Sequence, residues 1–257
     1  MPSPLGRPHP HLSVIFPAYQ EEAFLGKAVH DVVAGLRALN ASFEVLIVEN
    51  GSRDRTRDVA DSLAQELTEV RSLSTGVPDY GKALRHGLLE ATGEFVVNFD
   101  VDLYDLKFLA NAVEQMEATG GPSIVVASKR GDTADDTRAW NRKLVTGVFS
   151  TILRYGFGLK VSDTHGMKAM RRADVQAIGQ RCQFGTDLFD TELILRAERA
   201  GLLTAEIGVK IVETRPARTP ILRRILRSLR GLAKLWWTLQ RERRRSRASS
   251  AATQTHQ

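Results

Sequence analysis

A short apolar run that ends in two aspartates constrains this chain more than any other feature. Residues 95–99 are rich in Phe and Val and follow Gly93, a composition typical of a short buried strand. Asp100 and Asp102 come directly after it, where ligands bind in an open α/β sheet. Two carboxylates so close repel each other unless a cation lies between them, and such oxygen ligands suit Mg²⁺ or Mn²⁺ with substrate phosphates. The stretch indicates a metal–diphosphate site; the alternative is a solvated acidic loop.

Strand and helix patterns alternate before this stretch. Strands are predicted at 12–16 (ended by Pro17), 43–48 and 70–73, and helices at 23–39, 56–67 and 81–91. Polar turns follow Phe16, Val48 and Phe99, and Asp54 is a candidate cap for the second helix. This order predicts an α/β fold with a mostly parallel central sheet and helices on both faces.

The rest of the chain continues with helices and strands and divides into four segments. We predict helices at 108–119, 140–155 and 191–200, and strands at 123–127, 167–170 and 203–212. The predicted segments are a disordered lead-in (1–11), a main domain (12–218), a basic amphipathic helix (219–247) and a disordered tail (248–257).

Charge is distributed unevenly along the chain. The net charge is +6, but residues 215–247 hold twelve Lys/Arg and one acid, whereas the remainder holds 24 basic and 29 acidic residues. The basic segment therefore favours an anionic partner. A single cysteine, Cys182, excludes an intramolecular disulfide framework, and no apolar stretch is long enough to span a bilayer. The start of the chain, Met1 to His11, does not resemble a signal peptide.

The basic segment has a helical pattern with two faces. Its apolar stripe consists of Leu222, Ile225, Leu229, Leu232, Trp236 and Leu239. Its basic face consists of Arg223, Arg227, Arg230, Lys234 and Arg241. A basic amphipathic helix with tryptophan is typical of an interfacial membrane anchor. The alternative is a helix that packs its stripe on the main domain. RNA binding is disfavoured because no aromatic stacking platform accompanies the charge.

A series of short motifs occurs in a fixed order between residues 12 and 218. They are Pro17-Ala18-Tyr19-Gln20-Glu21, Val48-Glu49-Asn50-Gly51-Ser52-Arg53-Asp54-Arg55-Thr56, Gly81-Lys82-Ala83 with Gly87, Ala91-Thr92-Gly93-Glu94, Asp100-Val101-Asp102-Leu103, Ser128-Lys129-Arg130, Asp163-Thr164-His165-Gly166-Met167-Lys168 and Phe189-Asp190-Thr191-Glu192-Leu193. Together they resemble the inverting family 2 glycosyltransferases, which have the GT-A nucleotide-sugar-binding fold. The chain is most similar to the polyprenyl-phosphate (dolichyl-phosphate) mannose and glucose synthases.

The resemblance implies a donor site with a metal. Asp100 and Asp102 would hold Mg²⁺ or Mn²⁺, which neutralises the leaving diphosphate as a Lewis acid. The donor-binding candidates are Pro17, Tyr19, Glu21, Glu49, Lys82 and Asp100. The catalytic candidates are Asp102, Asp190 and Arg130. The implied donor is GDP-mannose or UDP-glucose.

The implied acceptor is a polyprenyl phosphate. Its phosphate is already anionic near neutral pH, because the second phosphate pKa is about 6, so a strong general base is hardly required. Arginine binds phosphate bidentately. The acceptor candidates are Arg130, Arg138, Arg142, Arg215 and Arg218. We further expect contact with a membrane surface through residues 221–247, with a separate membrane protein as another candidate partner and no nucleic acid. The expected location is cytoplasmic, peripheral at the inner face of the membrane.

Several positions depart from the family's pattern. Tyr104 stands where the family often has Gln, and Asp105 or a water is a candidate replacement as metal ligand. Glu49-Asn50 replaces paired aspartates, which leaves the donor nucleotide open, and Arg55 replaces a glycine.

Two other functions stay open at this point. One is a soluble glycosyltransferase with a hydroxyl acceptor, in which Asp190 or Asp187 is the general base. The other is an inactive nucleotide-sugar-binding or nucleic-acid-binding protein. A dinucleotide-dependent dehydrogenase is disfavoured, because no Gly-x-Gly-x-x-Gly follows the first strand.

Overall fold

The computed structural model describes residues 11–128, 156–161, 164, 166–185, 188–209 and 230–242. The chain divides into two compact units, Met1–Thr214 and Arg215–Gln257. The first unit contains a seven-stranded sheet. The described part of the second unit is one helix, residues 230–242.

The first unit alternates strands and helices along most of its described length. Its strands are β1 Leu12–Ala18, β2 Phe43–Glu49, β3 Val70–Ser74, β4 Phe95–Asn98, β5 Ile124–Ser128, β6 Lys168–Arg171 and β7 Thr204–Gly208. Its helices are α1 Leu25–Ala38, α2 Thr56–Glu66, α3 Tyr80–Glu90, α4 Leu106–Glu117, α5 Arg172–Arg181 and α6 Phe189–Arg199. The four predicted strands up to residue 99, and the three helices between them, are confirmed.

The strand order is β3-β2-β1-β4-β6-β5-β7. β6 runs antiparallel to both of its neighbours, β4 and β5, and the other paired strands run parallel. The prediction of a mostly parallel sheet is therefore confirmed. The carboxyl ends of β1, β2, β3 and β4 share one edge, and the antiparallel β6 begins at that same edge.

Helices cover both faces of the sheet. Val14 and Phe16 of β1 belong to the main apolar cluster together with residues of α1 and α4. Ile15 points to the opposite face, where α3 packs closely: a Cβ atom built on Gly87 would lie 2.6 Å from its side chain. The alternation within β1 therefore places one layer of helices on each side.

Strand β1 extends two residues beyond its predicted end, through Pro17 to Ala18. The carbonyl of Ile15 accepts a hydrogen bond from the backbone N–H of Phe99, so the backbone N–H and C=O groups of Ile15 point towards β4. The backbone of Pro17, two residues later, has the same orientation. The paired part of β4 ends at Asn98, opposite Ile15. The strand tolerates Pro17, because the missing N–H would point to a place where β4 is no longer paired with β1.

Helix α5 was not predicted. Only Val175, Ile178 and Gly179 of its ten residues are buried, too sparse a stripe for a clear helical period. The predicted helix 140–155 lies outside the described residues.

The helix 230–242 differs in detail from the predicted stripe. Leu232, Leu235 and Leu239 are buried, whereas Trp236 is 40% exposed and Trp237 is 59% exposed. Leu235 therefore takes the buried place that the sequence pattern assigned to Trp236. Residues 219–229 and 243–247 of the predicted helix lie outside the described part of the chain. None of the described helices is long and apolar enough to cross a membrane.

Candidate active site

The two aspartates occupy a tight turn at the carboxyl edge of β4. The backbone N–H of Asp100 donates to the carbonyl of Leu103 over 3.0 Å, and the N–H of Leu103 donates back over 2.9 Å. Val101 is buried and Asp102 is exposed. The turn thus anchors its apolar residue in the core and presents both carboxylates at the edge where the parallel strands end.

Tyr80, in the first turn of α3, holds Asp100. Its hydroxyl donates a hydrogen bond to Asp100 Oδ1 over 2.9 Å. Burial raises the pKa of the Tyr80 hydroxyl well above its ordinary value, and the neighbouring charge of Asp100 adds to the effect. The hydroxyl therefore keeps its proton and remains a donor to the carboxylate.

Asp100 lies in a strongly negative environment. Burial raises the pKa of its carboxyl, and the charges of Asp190 and Asp102 raise it further. The hydrogen bond from Tyr80 and the positive charge of Lys168 act in the opposite direction. A cation bound at this turn would relieve the repulsion among the carboxylates.

A buried ion pair lies next to the aspartate turn. Lys168 Nζ is 3.1 Å from Asp190 Oδ1, and their side chains are 1% and 4% exposed. Among the described residues, no donor makes a hydrogen bond to that oxygen. Lys168 Nζ instead donates to the carbonyl of Gly166 over 2.7 Å. Asp190, a predicted catalytic residue, thus faces an ammonium group.

The loops that follow β1 and β2 hold each other in place. The backbone N–H of Gln20 donates to Ser52 Oγ over 3.1 Å, and that of Glu21 donates to Thr56 Oγ1 over 2.7 Å. Asp54 Oδ1 accepts from the backbone N–H of Thr56 over 3.1 Å, but Arg55 occupies the N-cap position of α2, so the prediction of Asp54 as the cap is wrong. The two predicted donor-binding turns therefore form one connected structure.

Glu49 is buried at the end of β2. Its Oε1 accepts from the backbone N–H of Ser52, and its Oε2 accepts from Ser74 Oγ over 2.9 Å. The carboxylate therefore links the loop after β2 to the last residue of β3. The contact of Glu49 with the donor base stays a prediction.

The other donor-binding candidates lie along the same edge. Pro17 is buried in β1, Tyr19 and Glu21 are partly exposed in the loop after it, and Lys82 is exposed on the first turn of α3. Asp79 Oδ1 caps that helix by accepting from the N–H of Lys82 over 3.0 Å. The structure thus brings all six donor-binding candidates to one edge of the sheet.

Neither Tyr104 nor Asp105 faces the metal position. The Tyr104 hydroxyl donates to Asp31 Oδ2 over 2.6 Å. Asp105 caps α4, accepting from the backbone N–H of Lys107 at 2.8 Å and of Phe108 at 3.2 Å. This geometry argues against Asp105 as a replacement third ligand.

The donor set fits a metal that is shared with a substrate. Among the residues that the structure describes, no group of three or more His, Cys, Asp or Glu side chains is arranged to hold a metal ion. Mg²⁺ is commonly bound by one or two carboxylates together with substrate phosphates and waters. Two aspartates on one turn, with a surplus of negative charge around them, match that mode of binding.

The predicted acceptor residues all fall in segments that the structure does not describe. Arg130, Arg138, Arg142, Arg215 and Arg218, and also Asp187, lie outside the described residues.

Sequence reasoning missed two residues of the site, Tyr80 and Lys168. Tyr80 precedes the Gly81-Lys82 motif and was not singled out, because a tyrosine at a helix start carries no distinctive signal. In the sequence, Lys168 stands out only as the last residue of the motif that begins at Asp163. Its antiparallel pairing with Asn98 is what brings it to the site.

The family follows from a comparison with known proteins. Residues 13–179, more than half of the chain, match the sequence profile of Glycosyl transferase family 2. The chain therefore belongs to glycosyl transferase family 2, as its motifs predicted.

Two curated relatives and one solved structure refine this comparison. The chain is 28% identical over 233 residues to glycosyltransferase AglD of Haloferax volcanii, covering 89% of this chain and 37% of AglD. It is 26% identical over 211 residues to dolichyl-phosphate beta-glucosyltransferase ALG5A of Trichomonas vaginalis, covering 78% of this chain and 65% of that protein. The chain thus spans just under two thirds of ALG5A and little more than a third of AglD.

The fold is similar to that of glucosyl-3-phosphoglycerate synthase from Mycobacterium tuberculosis, crystallised with Mn²⁺, UDP and glucosyl-3-phosphoglycerate. The TM-score is 0.58 at 24% identity, covering 80% of this chain and 73% of that chain. This likeness confirms the expected GT-A fold.

Proposed function

We propose that this chain is a metal-dependent, inverting glycosyltransferase that moves a hexose from a nucleoside-diphosphate sugar to a polyprenyl phosphate. The observation that carries the proposal is the turn from Asp100 to Leu103, which presents two carboxylates at the ligand-binding edge of the sheet. The name of ALG5A, a dolichyl-phosphate beta-glucosyltransferase, supports the acceptor class. The donor is GDP-mannose or UDP-glucose.

In the proposed reaction, an oxygen of the acceptor phosphate attacks the anomeric carbon as the bond to the diphosphate breaks. The products are a polyprenyl-phosphate sugar with inverted configuration and a nucleoside diphosphate. Asp100 and Asp102 would hold Mg²⁺ or Mn²⁺, which supplies charge neutralisation for the leaving diphosphate. Tyr80 orients Asp100 through its 2.9 Å hydrogen bond.

The donor would occupy the loops after β1, β2 and β3. The cross-bonded turns that contain Tyr19, Glu21 and Glu49 form a rigid wall for the base and ribose. Lys82, exposed at the start of α3, is available to a phosphate. Rigid elements favour binding because little conformational freedom is lost when the ligand arrives.

The surroundings of Asp190 favour a phosphate acceptor over a hydroxyl acceptor. A general base must come within hydrogen-bond distance of the proton that it removes. The Asp190 side chain is 4% exposed, and its Oδ1 lies 3.1 Å from Lys168 Nζ. A phosphate oxygen needs no such base. The arginines 130, 138, 142, 215 and 218 remain the predicted phosphate ligands.

The proposal includes contact with an anionic membrane surface through residues 221–247. In the described part of this segment, Arg230, Lys234, Trp237 and Arg241 are exposed. Their spacing places them on one stripe of the helix, opposite the buried Leu232 and Leu239. An exposed tryptophan among cations suits the headgroup region of a membrane. We propose a location at the cytoplasmic, inner face of the membrane.

Transfer can be tested with labelled GDP-mannose and UDP-glucose, a short polyprenyl phosphate, and Mg²⁺ or Mn²⁺. We expect label in the organic phase for the wild type and for Glu114→Ala, which changes an exposed acid on α4. EDTA and Asp102→Ala should each abolish the product. Donor hydrolysis without lipid product would favour the hydroxyl-acceptor alternative. Donor binding without turnover on lipid or hydroxyl acceptors would favour an inactive binding protein.

Membrane contact can be tested by sedimentation with vesicles of phosphatidylcholine, with or without phosphatidylglycerol. We expect the wild type to bind the anionic vesicles, with binding weakened by salt and by Trp237→Ala. Phe24→Ala is the matched control, since Phe24 is also an exposed aromatic residue, 50% exposed, but lies in the first unit. Equal sedimentation with both vesicle types, or an equal loss with Phe24→Ala, would contradict this part of the proposal.

A further inference from the structure

We propose that Lys168 is a positioning residue whose fixed positive charge makes the aspartate site select a metal together with a diphosphate rather than a metal alone. This inference rests on the proposed donor site at Asp100 and Asp102 and deepens it by naming what balances the charge there.

The ammonium group of Lys168 is held in one place. The side chain is 1% exposed, although a lysine is almost never fully buried unless it is paired. Nζ lies 3.1 Å from Asp190 Oδ1 and donates to the carbonyl of Gly166 over 2.7 Å. Asn98 Nδ2 donates to that same carbonyl over 3.2 Å. These contacts tie the lysine to the end of β4 and to the first turn of α6.

The pairing of β6 with β4 brings this charge to the metal position. Lys168 is the register partner of Asn98, two residues before Asp100. Asn98 Nδ2 and Lys168 Nζ also donate to the same carbonyl, that of Gly166. The strand pairing therefore places the ammonium group beside the carboxyl end of β4, from which the aspartate turn begins.

The charges of these four side chains explain the proposed selectivity. With all four side chains ionised, Asp100, Asp102 and Asp190 together with Lys168 carry a formal net charge of two negatives, which one divalent cation balances. The site can then accept the anionic diphosphate without a large excess of negative charge. Without the ammonium group, the three carboxylates would attract a free divalent cation more strongly and repel the diphosphate.

If Lys168 acts through its charge, a set of variants should bind Mn²⁺ and diphosphate differently than if it acts only through packing. Lys168→Met leaves three carboxylates, Asp190→Asn leaves two carboxylates and the lysine, and the double variant Lys168→Met/Asp190→Asn leaves two carboxylates alone. The double variant has the same formal charge as the wild type. Lys168→Arg keeps the charge and changes the shape.

The experiment measures two affinities on the full chain of each variant. Binding of Mn²⁺ alone is followed by electron paramagnetic resonance, and binding of UDP and GDP at saturating Mn²⁺ is followed by calorimetry. Removing one charge a few ångströms away should change such an affinity by at least about tenfold, because Coulomb's law at an effective dielectric constant of about 20 gives roughly a thousandfold for two unit charges about 4 Å apart.

We expect the affinity for Mn²⁺ alone to rise in Lys168→Met and to fall in Asp190→Asn, with the double variant and Lys168→Arg close to the wild type. The affinity for the diphosphate should change in the opposite direction. If Lys168→Met does not fold, Asp190→Asn and the double variant still provide the comparison. A parallel loss of both affinities that follows the loss of thermal stability would overturn the inference in favour of packing.

The same data separate this inference from the proposed function. A wild type that binds neither Mn²⁺ nor a nucleoside diphosphate would contradict the proposed donor site itself. A wild type that binds both, with variants whose two affinities change together, would contradict only the role of Lys168.

Discussion

The hydroxyl of Tyr104 donates a hydrogen bond to Oδ2 of Asp31 over 2.6 Å and so joins the turn after β4 to helix α1. The ring of Tyr104 lies edge-on to Phe16, with centroids 6.4 Å apart. Lys27 pairs with the same carboxylate of Asp31. Tyr104, two positions after Asp102, therefore contributes to the packing of the turn against α1 and β1 and does not contact the proposed metal position.

We expect Tyr104→Phe to leave the affinity for Mn²⁺ unchanged. The variant should lower the free energy of unfolding by about 0.5–1.5 kcal/mol, the usual contribution of one hydrogen bond. Urea unfolding and Mn²⁺ titration measure the two quantities. Asp31→Asn should cause a loss of stability of similar size. A large drop in Mn²⁺ affinity would instead make Tyr104 part of the metal site.

In contrast to Tyr104→Phe, Tyr80→Phe should weaken Mn²⁺ binding. It removes the hydroxyl that orients Asp100, and loss of such an outer partner weakens metal binding by about tenfold or more. Mn²⁺ titration measures the change. Tyr104→Phe is the matched control, because it removes a tyrosine hydroxyl from the same region without touching Asp100. Equal affinities in the two variants would show that Tyr80 does not orient the ligand.

Gly51→Ala should destabilise the protein and weaken nucleotide binding. Gly51 has a φ of +75°, and an added Cβ would lie 2.9 Å from the carbonyl carbon of Val77. Gly76→Ala is the control, since its φ is +69° but nothing lies within 4 Å of its Cβ position. Backbone strain of roughly 1 kcal/mol is expected in both variants. The additional loss in Gly51→Ala, measured by urea unfolding and UDP titration, reports the clash between the loops after β2 and β3.

The stability of the protein should fall in acid as Glu69 takes up a proton. Hydrogen bonds from Arg37 lower the pKa of Glu69 from 4.5 to about 2. The ionised carboxylate therefore stabilises the fold fully above pH 4.5, and this contribution is lost as the pH falls towards about 2. Salt should weaken it, because Arg37 is 50% exposed.

Urea unfolding of the wild type and Glu69→Gln over a range of pH tests this expectation. The difference in the free energy of unfolding should be constant near neutral pH and should shrink as the pH falls below 4.5. A difference that stays constant down to the lowest pH would mean that the ion pair does not contribute in this way.

The fold up to β4 was predictable because each element carries its own local signal. The strands end at polar turns and the helices have clear apolar stripes, as in α1. Helix α5 was missed because few of its residues are buried. The predicted end of β1 is two residues too early, because a proline usually ends a strand, whereas β4 needs no N–H from Pro17.

The positions of the candidate site residues were only partly predictable. Asp100 and Asp102 follow a strand and therefore lie at its end, which the sequence pattern already indicates. The bond from Tyr80 to Asp100 and the contact between Lys168 and Asp190 join segments that are distant along the chain. No local pattern encodes such contacts, because they depend on how helices and strands are packed.

The reversed direction of β6 determines which sequence changes the protein can accept. In the parallel strands the last residues lie at the ligand-binding edge, whereas in β6 the first residue does, opposite Asn98. A residue inserted between Arg171 and the start of α5 at Arg172 would alter the junction at the far edge of the sheet, away from the proposed site. A residue inserted between Lys168 and Arg171 would shift the alternation of side chains and turn the lysine to the other face of the sheet. Natural length variation should therefore be tolerated after β6 and avoided within it.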